Sequence, residues 1–365
     1  MKIIFLLASL GSGGAERVVT LLANKMCEDG HDIQIVCLKY NDVYYSLHDK
    51  IKVVAATDYT SNRIMELFWL REYIQKEKPD VVIPFTEGVY CFTILALLGT
   101  RIPIIASERL DPAAMSLPRK ILKRLLLPYA DWLVVQTKSI KEYFPPKIQA
   151  KTSIIYNPVR EEVFEPSSLT PNPSPKGEGS IKGGERLNRI ISVARLYPQK
   201  NQKMMIEAFA RIADEFPDWQ LVIFGEGPLR SSLELLVKSL QLDGRVLLPG
   251  RTEHVIEELR KSKIFCLSSD YEGMSNSMIE ALCVGLPIVT TNVSGVKELV
   301  DDNINGFVVE CGDIDRMCSA LSTLMGNESL MNCFAQKSFE RRRLFQMDVV
   351  NNKWNSLINQ VSKKV

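Results

Sequence analysis

The strongest constraint on the fold is an alternation that runs through the chain twice. IIFLLA, IQIVCLKY, VVIPF, PIIAS, WLVVQT and SIIYNPV are short apolar runs with helix-length segments between most of them, AERVVTLLANKM and Ile64–Glu77 among them. Consecutive Ile, Val and Leu, rather than alternating apolar and polar residues, suit strands buried on both faces, and strand–helix alternation argues a parallel sheet covered by helices. The pattern breaks in SSLTPNPSPKGEGSIKGGERLN (Ser167 to Asn188), rich in Pro, Gly and Ser and too polar to bury much apolar area. It restarts with IISVA, WQLVIFG, RVLLPG, IFCLSS, PIVTT and GFVVE, with helices NQKMMIEAFARIADEF and LRSSLELLVKSLQL among them. The expected architecture is α/β, two doubly wound domains facing a cleft that holds the site. Its expected divisions are residues 1–165, a linker or insertion at 166–188, a second domain at 189–345, and a helix at 346–365 for which the first domain is one docking surface.

A chain of 365 residues, 46% hydrophobic and 24% charged, is long enough for two cores and ordinary for a globular protein. Its formal net charge of +2 gives no reason to expect a dedicated nucleic-acid binder. The eight cysteines contain no C-x-x-C and stand apart from His31, His48 and His254, which fits free thiols in a reducing compartment better than disulfides or zinc. MKIIFLLASLGSGGA superficially resembles a signal peptide, but one basic residue and the short stretch Ile3–Leu10 suit a first strand better. No stretch approaches the roughly 18 apolar residues of a membrane span.

Several turns after strands carry candidate ligand groups. In SLGSGGAERVV, a dinucleotide fingerprint built on Gly11 and Gly13 would need glycine at position 16, which is Glu16, and the second strand ends in Lys39 and Tyr40 with no acid placed for a ribose. An NAD enzyme is therefore a weak reading. Gly13 and Gly14 still let backbone approach a ligand, and the helix that follows offers N–H groups to an anion. VARLYPQKN sets Arg195 and Lys200 in a loop after a strand, placed for a diphosphate. FGEGPLR adds a glycine turn with Gly225 and Gly227. In YEGMSNSMIEAL, Ser275 can cap a helix on which Asn276 and Glu280 share a face, while Glu272 stays beside Gly273 in the loop. An acid inside the apolar run Met278–Leu282 is costly unless something binds it. Two carboxylates flanking an anion site suit a polyhydroxylated phosphate ester, and a sugar nucleotide fits that description.

YEGMSNSMIEALCVGLPIVTT, with acids at Glu272 and Glu280, resembles the donor-binding signature of family-4 retaining glycosyltransferases of the GT-B fold. VARLYPQKN, FGEGP, SGGAERV and GVKELV–NGFVVE are similar to the family's other landmarks, in the same order. The resemblance implies two Rossmann-like lobes, with a nucleotide-sugar held mainly by the second. It implies that Arg195 and Lys200 bind the diphosphate and stabilise the leaving group, Glu280 the ribose, and that Glu272 faces the transferred sugar. Backbone around Ser275 and Asn276 would help at the phosphates, Gly225, Gly227 and Gly273 would line the donor, and Gly13 and Gly14 would lie across the cleft. Many relatives carry a first-lobe histidine near the position where this chain reads ASERLDP; here the candidates are Ser107, Glu108 and Arg109. Arg109 is read either as a donor or acceptor contact or as a surface salt bridge.

The D-x-D of Asp313 and Asp315 stands after a strand and before a helix, where capping explains it better than a metal, and no essential metal or other cofactor is expected. SLPRKILKRLLLPYADW places Arg119, Lys120, Lys123 and Arg124 among leucines with no acid until Asp131. It reads either as a surface for anionic membrane or a polyprenyl-diphosphate acceptor, or as a core helix with a solvated basic edge. The expected activity is hexosyl or N-acetylhexosaminyl transfer, from a UDP-linked donor, to a glycan or lipid-linked glycan in bacterial surface polysaccharide synthesis. The expected location is the cytoplasm, with peripheral attachment to the inner membrane if the basic helix docks there. A sugar-nucleotide epimerase of the same fold and an inactive nucleotide-sugar-binding partner are the alternatives.

Overall fold

The computed structural model describes residues 1–39, 43–112, 115–165 and 186–363. The expected linker therefore lies almost wholly outside the described residues. Two compact units are present: Met1–Pro158 with Gln346–Val365, and Val159–Phe345.

The first unit contains β1 (Lys2–Leu7), β2 (Asp32–Cys37), β3 (Lys52–Ala55), β4 (Val81–Pro84), β5 (Ile105–Ser107), β6 (Trp132–Val135) and β7 (Thr152–Ile154). A four-stranded sheet runs β3-β2-β1-β4 and a three-stranded one β5-β6-β7, all parallel. Parallel bridges Val82–Ile104 and Phe85–Ser107 join them at the β4–β5 seam. Ile3 through Leu7 are all buried, which explains the unbroken apolar run of β1: it lies in mid-sheet with helices on both faces.

The helix Met347–Ser362 belongs to this unit although it ends the chain. Val350, Trp354, Leu357, Ile358 and Val361 recur at helical spacing and are buried in the first-domain core with Phe5 and Phe85. Trp354 stacks on Phe85 with ring centroids 6.0 Å apart, and Asn351 donates to Asp29 at 2.6 Å.

The second unit holds one parallel six-stranded sheet built from β8 (Arg189–Val193), β9 (Gln220–Phe224), β10 (Val246–Gly250), β11 (Ile264–Leu267), β12 (Ile288–Thr291) and β13 (Gly306–Val309). Its order, β10-β9-β8-β11-β12-β13, runs outward from the first strand in one direction and then reverses, which is the doubly wound arrangement. The expected boundary at residue 165 is corrected to Pro158/Val159. Val159 N–H donates to the Phe345 carbonyl at 3.1 Å, and the Arg260 side chain donates to the carbonyls of Glu162 (2.7 Å) and Glu165 (3.0 Å), so these residues are hydrogen-bonded into the second unit. Apolar patterning could not reveal this, because the attachment is made by hydrogen bonds.

Candidate active site

In a doubly wound sheet, ligands bind beyond the carboxyl ends of the strands where the strand order reverses. In the second domain that point lies between β8 and β11. The loops that follow these two strands are stitched together. Asp270 N–H donates to the Gln199 carbonyl at 2.9 Å, and the Gln199 amide donates to the Tyr271 carbonyl at 2.7 Å. The Asn201 amide donates to Asp270 at 2.9 Å, and the Ser268 hydroxyl to the Lys200 carbonyl at 3.0 Å.

This stitching sets Lys200 against Glu272 in an ion pair. The Ser269 hydroxyl donates to the same Glu272 oxygen at 2.8 Å, and Thr291 in turn donates to the Ser269 carbonyl at 2.5 Å. Both acids are buried, Glu272 in the loop and Glu280 within the helix Asn276–Cys283. Ser275 caps that helix as expected, accepting from Met278 N–H at 3.3 Å. Asn276 and Glu280 both have polar contacts within the protein, and Gly273 is buried beside Glu272. The two cations part company here. Arg195 is exposed, lies over the Tyr197 ring at 5.0 Å and has no carboxylate of the described residues within ion-pair distance, whereas Lys200 is committed to Glu272.

Gly225 and Gly227 have a reason in the chain itself. Gly225 has φ +147°, and a Cβ there would overlap the Ala194 carbonyl; one at Gly227 would overlap that of Leu196. These glycines bring the loop after β9 onto the loop after β8, where Leu196 N–H donates to the Glu226 carbonyl at 3.0 Å. Gly225→Ala is expected to cost at least about 3 kcal/mol, combining strain at positive φ with overpacking; urea denaturation measures it. Asp313 caps the helix Ile314–Gly326, accepting from Arg316 N–H at 2.9 Å, and Asp315 pairs with Arg211. Among the described residues no group of three or more His, Cys, Asp or Glu is disposed to hold a metal ion.

In the first domain the strand order reverses between β1 and β4. Gly13 and Gly14 lie after β1, where Gly13 caps the helix Gly14–Glu28 with φ −80° and ψ 168°, a conformation open to any residue. The neighbouring loop after β5 departs from expectation. Arg109 makes no surface salt bridge: it is 8% exposed, with no carboxylate of the described residues within ion-pair distance. Its Nε donates to Ser107 Oγ at 2.8 Å, its Nη1 to Asn157 Oδ1 at 2.7 Å, and its guanidinium lies over the Phe85 ring at 4.3 Å. Glu108, fully buried, points away and accepts from Tyr90 (2.8 Å), Lys123 (3.2 Å) and the Arg109 backbone N–H (3.1 Å).

Lys123 is therefore a correction. Of the four basic residues on SLPRKILKRLLLPYADW it is the one turned inward, 2% exposed and paired with Glu108, and it is not part of an outer basic surface. Arg119 and Arg124 are exposed and Lys120 partly so. The helix Leu117–Leu126 is also no core helix with a solvated edge: Leu117, Ile121, Leu122 and Leu125 are 69, 53, 42 and 63% exposed. An outward apolar stripe beside basic residues is what the surface-helix reading requires.

Two family models match this chain, "Glycosyltransferase Family 4" over residues 12–163 and "Glycosyl transferases group 1" over residues 180–341. The chain is a family-4 glycosyltransferase of the GT-B fold. This glycosyltransferase is 28% identical, over 99% of each chain, to GalNAc-alpha-(1->4)-GalNAc-alpha-(1->3)-diNAcBac-PP-undecaprenol alpha-1,4-N-acetyl-D-galactosaminyltransferase of Campylobacter jejuni. It is 23% identical to the amylovoran biosynthesis glycosyltransferase AmsD of Erwinia amylovora, covering 95% of this chain and 96% of that one. Among solved structures, Anabaena HepE in complex with UDP superimposes with a TM-score of 0.82 at 17% identity, over 99% of this chain and 100% of that one. S. aureus TarM, bound to Fondaparinux, alpha-GlcNAc-glycerol and UDP, gives 0.77 at 14% identity over 98% and 99%.

The motif reading of the glycosyltransferase passed over Ser269, which holds Glu272, and Asn157, which holds Arg109. Ser269 could have been found from its place at the carboxyl end of an apolar strand, three residues before a singled-out acid. Asn157 gives a similar but weaker signal, following β7 at the end of the first domain.

Proposed function

We propose that this glycosyltransferase moves a hexose or N-acetylhexosamine from a UDP-linked donor to a glycan or polyprenyl-diphosphate-linked glycan, with retention of anomeric configuration. The observation that carries the reading is the cluster at the second-domain switch point, where Lys200 is held by Glu272, itself held by Ser269, next to a capped helix containing Glu280. A fixed cation beside a helix N-terminus can meet charge developing on a leaving diphosphate, while buried carboxylates accept hydrogen bonds from ribose and sugar hydroxyls. In this reading Arg195 and Lys200 bind the diphosphate, Glu280 the ribose and Glu272 the transferred sugar. Gly225, Gly227, Gly273, Ser275 and Asn276 shape that side of the donor site. Gly13, Gly14 and Arg109 supply the first domain's substrate contacts. The named relatives, one acting on an undecaprenol-linked glycan and one in amylovoran biosynthesis, support the acceptor class, and UDP in the HepE and TarM complexes supports the nucleotide.

The deciding assay is UDP release from a panel of UDP-sugars, with and without lipid-linked oligosaccharide extract and with and without chelator. Acceptor-dependent, chelator-insensitive release is expected, and the anomeric coupling of the product by NMR tests retention. Release without acceptor together with hydrogen exchange at a sugar carbon would favour an epimerase, and UDP binding without any release an inactive partner.

No helix among the described residues is long and apolar enough to cross a membrane. Contact with a cytoplasmic membrane face is assigned instead to the outer side of Leu117–Leu126, through its four exposed apolar residues with Arg119, Lys120 and Arg124. Flotation with anionic liposomes is expected to exceed that with neutral ones, and charge reversal of the three basic residues to abolish the difference. Equal flotation in both would end the membrane assignment.

A further inference from the structure

A buried charge is expensive unless something neutralises it, and Arg109 is a buried charge without a carboxylate partner. Its fork is held at two points, by Ser107 Oγ on Nε and Asn157 Oδ1 on Nη1, and Asn157 Oδ1 also accepts from Gln136 Nε2 at 2.6 Å. The third nitrogen, Nη2, is buried and has no hydrogen-bond partner among the described residues. The acid beside it, Glu108, gives no direct ion pair because it is engaged by Tyr90 and Lys123. Burial pushes the Arg109 guanidinium down to about 9, against a smaller opposing pull from the Glu108 charge, so it is still cationic at neutral pH.

A second feature lies under the guanidinium. Phe85, sandwiched between Arg109 and Trp354, leads directly into Thr86, whose φ is +74°. A β-branched residue in that region is strained, and such strain persists only where the surroundings over-determine it. Here Thr86 N–H donates to the Ser107 carbonyl at 3.0 Å, which ties the strained turn to the loop that carries Arg109.

We propose that Arg109 is an oxyanion-binding residue whose unpartnered Nη2 takes a phosphate oxygen of a substrate diphosphate, and that Asn157 is the positioning residue that sets its fork. The inference deepens the reading of Arg109 as a substrate contact and rests on it. A diphosphate occurs both in a nucleotide-sugar and in a polyprenyl-linked acceptor. The chemistry is shared, and the experiment separates the sources. Strands ending in a neutral amide acceptor, rather than an acid, suit this role: Asn157 orients the guanidinium without neutralising it.

Two substitutions test this from opposite sides. Arg109→Met removes the charge while keeping an apolar chain over Phe85. Asn157→Asp can retain both hydrogen bonds but places a carboxylate against the guanidinium. The full-length protein is titrated with UDP, and, in a second arm at saturating UDP, with inorganic pyrophosphate, with sulfate at matched ionic strength as the control. Thermal unfolding and calorimetry are the readouts. Both variants are expected to melt no lower than wild type and to bind about tenfold or more weakly in one arm. Loss in the UDP arm names the donor as the source of the diphosphate, and loss in the pyrophosphate arm names the acceptor. Affinities unchanged in both arms, or a pyrophosphate response no different from that of sulfate with UDP affinity intact, overturn the proposal. A marked fall in melting temperature with both affinities intact also overturns it, since Arg109 would then be structural. If UDP does not bind at all, the pyrophosphate titration is run without it; a response that then depends on Arg109 means that the donor assignment of the second domain fails and this one stands.

Discussion

Lys200→Ala is expected to lower kcat/KM by about 10²–10³-fold, the loss that accompanies removal of one preorganised donor to a developing oxyanion. In the free enzyme Lys200 is already held by Glu272, which Ser269 holds in turn. The cation is thus fixed before a donor arrives, and little reorganisation is left for the reaction itself. Removing it also leaves Glu272 buried with only a hydroxyl donor, so UDP affinity should fall together with turnover. Glu272→Gln separates the two effects. The amide keeps an acceptor for Ser269 and leaves the cation in the site, so UDP binding should stay within a few-fold of wild type while turnover falls. Glu280→Ala, deep in its helix, should weaken UDP binding and turnover together. UDP titration alongside initial rates checks all three. Wild-type affinity and rate in the three variants would remove the second-domain switch point from the reaction.

What was legible in the sequence was what local chemistry dictates. Ser275 followed by an apolar helix announces a cap, and the cap decides that Glu272 stays in the loop while Glu280 enters the helix. Unbroken Ile–Val–Leu runs announce parallel strands, and GDID announces a capped helix. What was not legible was which distant residues meet. Lys200 and Glu272 are 72 positions apart and are joined because β8 and β11 are neighbours, a fact of sheet order that neither loop's sequence contains. The same limit hid the docking of the C-terminal helix, whose apolar stripe fits any complementary face. Lys123 is a different case, because a local sign existed. It stands three, four and seven residues before Leu126, Leu127 and Ala130, all buried, and so belongs to the inward stripe rather than to the basic edge. Charge type outweighed helical position in the motif reading.

That inward position makes Lys123 the site of the largest expected effect on stability. Lys123→Met should destabilise the first domain by about 3–5 kcal/mol, because it leaves Glu108 fully buried without its cation. For a domain of this size each kcal/mol lowers the melting temperature by roughly 2–4 °C, so a fall of about 10 °C is expected. Removing both charges behaves differently. In Glu108→Gln/Lys123→Met neither member of the pair is left as an unpaired buried charge, the Gln carbonyl can still accept from Tyr90, and most of the loss should be recovered. The double-mutant cycle should therefore show a coupling of several kcal/mol between positions 108 and 123. Liposome flotation of the double variant should match wild type, since Arg119, Lys120 and Arg124 and the exposed leucines of the same helix are untouched. A single variant that melts within about a degree of wild type would mean that Glu108 does not depend on this cation, and the ion pair would then have no part in holding the helix Leu117–Leu126 to the loop that carries Arg109.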